Sequence, residues 1–146
     1  MKKIYILVIL TLCVFLKVYA AHDDRFLNSL KNCAPYTSNG AIDTQGVSAD
    51  YNSSISGWDN DRCVYRKNVK FSGVDACIEC RFTQSQIDKL IGVMNAYEHL
   101  QEYYEEDINF SDLEAIKKNP VVKVWSSYFS DPSTCTMNLG VLQPWP

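Results

Sequence analysis

Apolar and polar residues alternate over two adjoining stretches near the middle of the chain. In the first, Cys63, Tyr65, Val69 and Phe71 share one face with Lys67 as the one polar member, and Val64, Arg66, Asn68 and Lys70 take the other. In the second, Val74, Ala76, Ile78, Cys80 and Phe82 share a face, and Asp75, Cys77, Glu79 and Arg81 oppose them. Strand side chains point to alternate faces, so the pattern predicts a β-hairpin turning at Ser72-Gly73, wet on one side. It places Cys63 and Cys80 toward the core and Cys77 away from it. A weaker alternation of Ala49, Tyr51, Ser53 and Ile55 predicts a third strand over about residues 49–57, with Gly57 and Asp59-Asn60-Asp61 marking the following turn.

Elsewhere the apolar period is helical. Phe26, Leu27, Leu30 and Cys33 fall on one side of a short helix opened by Asp23 and Asp24 and closed by Pro35. Thr83 and Gln86 form a capping box before a long stripe of Ile87, Leu90, Ile91, Met94, Tyr97 and Leu100. That helix is expected to end by residue 106, where Glu102, Glu105, Glu106 and Asp107 crowd the end that disfavours acids. Ser111 and Glu114 cap a short helix to Lys118, and Asn119-Pro120 reads as N-cap and first residue of a last one. Its face is Val121, Val124, Trp125 and Tyr128. The polar stretch 36–48 reads as a loop, and Cys135 follows the Asp131-Pro132-Ser133 turn on an extended tail ending in Pro144-Trp145-Pro146. The predicted class is α+β: an N-terminal helix, a three-stranded antiparallel sheet, a long covering helix, short C-terminal helices and a tail.

The start of the chain changes where this fold belongs. A basic Met1-Lys2-Lys3, an apolar run from Ile4 to Leu16 and the small residues of Val18-Tyr19-Ala20 make a secretory signal peptide over residues 1–20. Residues 21–146 then form one domain, within the usual size range. The leader carries three lysines and no acids, so its loss takes the net charge from −3 to −6. An acidic chain with no further apolar run of spanning length has little reason to bind nucleic acid or to insert in a membrane. The expected location is periplasmic or secreted.

Short motifs recur along this framework: Asn32-Cys33-x-Pro35-Tyr36, Gly57-Trp58-x-Asn60-x-x-Cys63-x-Tyr65, Cys80-x-Phe82, Asn119-Pro120 and Asp131-Pro132-Ser133-x-Cys135. Together they resemble small secreted or periplasmic disulfide-containing proteins of Gram-negative bacteria with no assigned activity. The resemblance implies an exported α+β domain and supplies no active residue.

Five cysteines remain after the leader, so an exported chain should hold two bridges and one leftover thiol. The outward Cys77 and the tail residue Cys135 are the favoured pair. Cys33 faces both Cys63 and Cys80, and Cys33–Cys63 is preferred. Cys77-Ile-Glu-Cys80 has C-x-x-C spacing, yet on a strand its two cysteines face opposite ways, unlike a redox pair at a helix N-terminus. Zinc would need further ligands from His22, His99 or other cysteines, so no metal and no cofactor is expected. His99 has no companion serine motif or phosphate loop. Nine tyrosines, three tryptophans and six phenylalanines are many for this length. Tyr51, Trp58, Tyr103, Tyr104 and Trp145 are the aromatics with no evident core position, and they form the candidate surface for a protein or cell-envelope component. The expected function is a non-enzymatic exported binding or structural module. The alternatives are a small inhibitor working through a loop at 36–48 or 57–62, and a thiol oxidoreductase or other enzyme.

Overall fold

The computed structural model describes residues 24–44, 47–71, 74–101 and 118–141. The leader expected over residues 1–20, the helix expected from Ser111 to Lys118 (all but Lys118) and the tail residues 142–146 lie outside the described residues. The elements are α1 (Asp24–Asn32), β1 (Tyr36–Thr44), β2 (Val47–Asp59), β3 (Arg62–Phe71), β4 (Val74–Phe82), α2 (Gln84–Gln101), α3 (Pro120–Phe129) and β5 (Cys135–Val141).

The class is α+β, but the three-stranded sheet predicted from the sequence is replaced by five antiparallel strands in the order β1-β2-β3-β4-β5. Both additional strands are edges. The stretch 36–48, read as a loop, supplies β1, paired with β2 from Tyr36↔Ile55 to Thr44↔Val47. An edge strand with one wet face needs few apolar residues, so it shows almost no alternation. Gly40, which read as a loop residue, lies under an aromatic ring instead: a Cβ there would clash with the Tyr51 phenol. Tyr51 is the cross-strand partner of Gly40, an aromatic-over-glycine pairing that pins the register of an edge. The tail after Asp131-Pro132-Ser133 supplies β5, which pairs with β4 from Cys80↔Cys135 to Val74↔Val141.

Among the described residues three helices cover one face of the sheet, and the core lies between. Leu30 comes from α1, Ile55, Tyr65, Ile78 and Phe82 from the strands, Ile87, Leu90 and Met94 from α2, and Val121 and Trp125 from α3. Several of the aromatics pack here. The Trp125 ring lies 5.7 Å from that of Tyr65 and 5.8 Å from that of Phe82, and Phe82 is 5.7 Å from Tyr128. These separations suit tilted and edge-to-face packing.

The helix ends follow local chemistry. At the end of α1, Cys33 N–H donates to Leu30 O and Ala34 N–H to Ser29 O. This is a Schellman turn, and Cys33 takes the left-handed position, φ 47°, that glycine usually fills. At the start of α2, Gln86 N–H donates to Thr83 Oγ1 and Thr83 N–H to Gln86 Oε1, closing the capping box. At α3, Asn119 Oδ1 accepts from Val121 N–H at 2.9 Å and Val122 N–H at 3.3 Å. Asn119 is itself buried, so Asn119→Ala leaves two buried donors without a partner. Urea denaturation should show a loss of about 1–2 kcal/mol; no loss would mean that the cap does not hold α3.

Two disulfides hold the fold, one between layers and one within the sheet. Cys33–Cys63 ties the end of α1 to β3, and Cys80–Cys135 ties β4 to β5. The expected Cys77–Cys135 pairing is therefore corrected. Because Cys135 sits on a strand rather than on a wrapping tail, its register sets it opposite Cys80 on the covered face. Cys77 lies opposite Asn138 and keeps a free thiol. The pair joining Cys33 and Cys63 is the one preferred from the sequence.

Candidate functional site on the open sheet face

The face of the sheet turned away from the helices is polar, and strand register organises it into rows. Asn39, Asn52, Asn68, Cys77 and Asn138 are successive cross-strand partners, one from each strand in sheet order. Neighbouring strands are about 4.8 Å apart, so four amides and a thiol stand in line across the whole sheet. The Asn52 side-chain amide donates to Asn39 Oδ1. Beside this row runs a second one of Ala41, Asp50, Lys70, Asp75 and Gly140. On the other side, Arg66 Nε donates to Glu79 Oε2 at 2.8 Å, and Arg81 ties Glu79 to Asp59.

A groove of about 760 Å³ lies along the first two rows. Gly40, Tyr51, Val69 and Ala76, whose side-chain direction is the opposite face, also line it. The small residues Ala41 and Gly140 leave both ends of the second row low. The banks offer carboxamides, which both donate and accept hydrogen bonds. The charged neighbours on the Arg66 side are already paired with one another.

Cys77, on β4, is half-buried within this row. Burial pushes its thiol up from the ordinary range; the Arg66 guanidinium opposes this and the Glu79 carboxylate adds to it. The group is therefore a thiol at neutral pH and a weak nucleophile. Cys80, three residues on, faces the other side and is already bonded to Cys135, so the C-x-x-C spacing forms no dithiol here. Among the described residues, no three His, Cys, Asp or Glu side chains are placed to hold a metal ion.

Of the aromatics expected to form a binding surface, the two that are described, Tyr51 and Trp58, stand apart. Tyr51 is half-buried over Gly40 on the helix side, with Lys67 Nζ 5.0 Å from its ring centre; its role is to hold β1. Trp58 is 44% exposed and stands seven residues further along β2, roughly 20 Å away. Tyr103, Tyr104 and Trp145 lie outside the described residues, as does the side chain of His99. The described residues of both loops suggested for an inhibitor belong to the sheet or to a tight turn of it. Residues 36–44 are in the sheet, and the 57–62 stretch is the end of β2, the two-residue turn Asn60-Asp61 and the start of β3. The asparagine row was not anticipated. Each asparagine sits at an outward position of a strand, but only the inter-strand register shows that they share a level.

No family model matches the chain, and neither the curated proteins nor the solved structures include a match to it. The described residues define the class by themselves: an α+β protein with a five-stranded antiparallel meander, helices on one face, an open polar face and two disulfides. Among them, no helix is long and apolar enough to cross a membrane.

Proposed function

We propose that this protein is an exported, non-catalytic binding module of the bacterial envelope whose open sheet face takes a neutral, hydroxyl-rich chain such as an envelope glycan. The observation that carries this reading is the groove across the sheet, banked by a row of carboxamides. Hydroxyl groups, like amides, donate and accept, so a row of amides at strand spacing can bind a repeating polyol without any charge on the ligand. The Arg66–Glu79 pair is internally neutralised, and the acidic net charge disfavours a polyanion. Two disulfides fit an oxidising compartment, and the leader pattern and the family resemblance point to the periplasm or the exterior.

The test is amide chemical-shift mapping with soluble N-acetylglucosamine oligomers and with soluble peptidoglycan fragments. Shifts should concentrate at Asn52, Asn68 and Cys77 and weaken roughly tenfold in affinity in Asn68→Val, a loss of about 1.4 kcal/mol. Shifts centred on Trp58 instead, or none with either probe, would overturn the reading.

A further inference from the structure

The charged side chains of the sheet are concentrated on its three inner strands. Asp50 and Asp59 are on β2, four basic residues from Arg62 to Lys70 on β3, and Asp75, Glu79 and Arg81 on β4. β5 carries none, and β1 carries only Asp43, near its end. Exposed edges are ordinarily protected from pairing with further strands by lysine, proline, bulges or inward charges. From Tyr36 to Ile42, β1 has no charge and no proline, and its register with β2 is unbroken. Among the described residues, no strand lies beyond it.

The amide row ends on this edge. Asn39 Oδ1 accepts from Asn52, which leaves the Asn39 NH₂ as the terminal donor of the row. A strand added outside β1 would meet that donor, and another asparagine at the same level complements it in both directions, since each carboxamide donates and accepts.

We propose that β1 is a self-association edge: two copies pair their β1 strands antiparallel about a two-fold axis near Asn39, joining the two sheets into one. The axis sets Asn39 against its own copy, each amide donating to the other's oxygen, and sets Thr37 against Ala41. No charged residue of β1 falls within that window. The alternative junction of β5 on β1 joins strands that run the same way in the meander, and it would be head-to-tail and open-ended. The two-fold pairing closes. It also runs the amide rows of both copies into one line, a consequence independent of what the groove binds.

The test is sedimentation velocity of the purified protein over roughly 5–200 µM. The wild type should be dimeric at the upper end, and Cys77→Ser should leave the dimer intact. Asn39→Lys puts two ammonium groups face to face and should raise the dimer dissociation constant at least about tenfold with the circular dichroism spectrum unchanged. Ala41→Lys, also at an exposed position, should do the same. A wild-type monomer throughout the range overturns the proposal. So does a dimer that survives both lysines but is lost in Asn138→Lys, which would assign the β5 edge, or one lost in Cys77→Ser, which would assign a disulfide link.

Discussion

Replacing Cys80 and Cys135 together by alanine is expected to lower stability by about 4 kcal/mol and to loosen β5 before the rest of the sheet. The bridge closes a loop with a sequence separation of 55, and the chain-entropy model gives about that figure for a loop of this length. Removing Cys33–Cys63, with a separation of 30, should cost only some 0.6 kcal/mol less. Global stability therefore barely separates the two bridges, and the local response does. Apart from its ladder with β4, the start of β5 is held by Arg81 N–H to Thr134 O at 2.8 Å and Gln86 Nε2 to Thr134 Oγ1 at 2.9 Å. Hydrogen exchange should accelerate first at residues 135–141 in the double alanine variant, and at α1 in the variant lacking Cys33–Cys63. The single variant Cys80→Ala tests the register as well. Cys77 and Cys135 face opposite sides of the sheet, so they should stay unbonded on mild oxidation; a Cys77–Cys135 peptide in the digest would refute the β4–β5 register.

Raising the pH from 7 to 10 should make the protein more stable, and Lys67→Met should remove that dependence. Lys67 lies on the covered face between Tyr65 and Val69 and is 1% exposed. Burial lowers its pKa from 10.5 to about 7. The Tyr51 ring face, 5.0 Å from Nζ, favours the ammonium and offsets part of that cost. The folded pKa lies below the unfolded one, so between about pH 7 and 10.5 the unfolded chain binds the extra proton. Stability then rises with pH through this window by up to about 1.4 kcal/mol per unit. Below the window the burial penalty is fully present, about 5 kcal/mol. Lys67→Met keeps the length of the stem without the charge. It should be the more stable protein at pH 6 and should converge on the wild type near pH 10, as read by urea midpoints at each pH. The difference between the two curves cancels the other titrating groups, Cys77 included. Parallel curves would mean that Lys67 does not change its charge on folding.

The covered half of this fold was legible because burial imposes periodicity. The hairpin of β3 and β4, the capping box of Thr83 and Gln86 and the cap at Asn119 are all local signals with a local cause. Lys67 was conspicuous for the same reason, as one polar residue on an apolar face. The edges escaped because their constraint is long-range. β1 is held by Tyr51 folding over Gly40, a contact between residues eleven apart whose local signal is a glycine in a polar stretch. In β5, Cys135, Met137 and Leu139 do alternate with polar or small residues, but the stretch is short and follows a turn into an apparent tail. Misjudging that tail also misassigned the disulfide, since a strand fixes which face Cys135 presents and a wrapping tail does not. The candidate site was the least visible part. A row across five strands has no sequence period, because its members are placed by four separate registers.

The order of the strands also sets the order in which the chain can be oxidised. β1 to β4 follow one another through short turns, so their contacts form at little loop-closure cost. β5 pairs with β4 only after the chain has passed through α2 and α3 and returned. A chain that enters an oxidising compartment N-terminus first presents Cys33 and Cys63 together while Cys80 still has no partner. The bridge of α1 to the hairpin then forms first, and Cys80 stays a thiol on the covered face, three residues along β4 from Cys77, until the last strand arrives to pair with it.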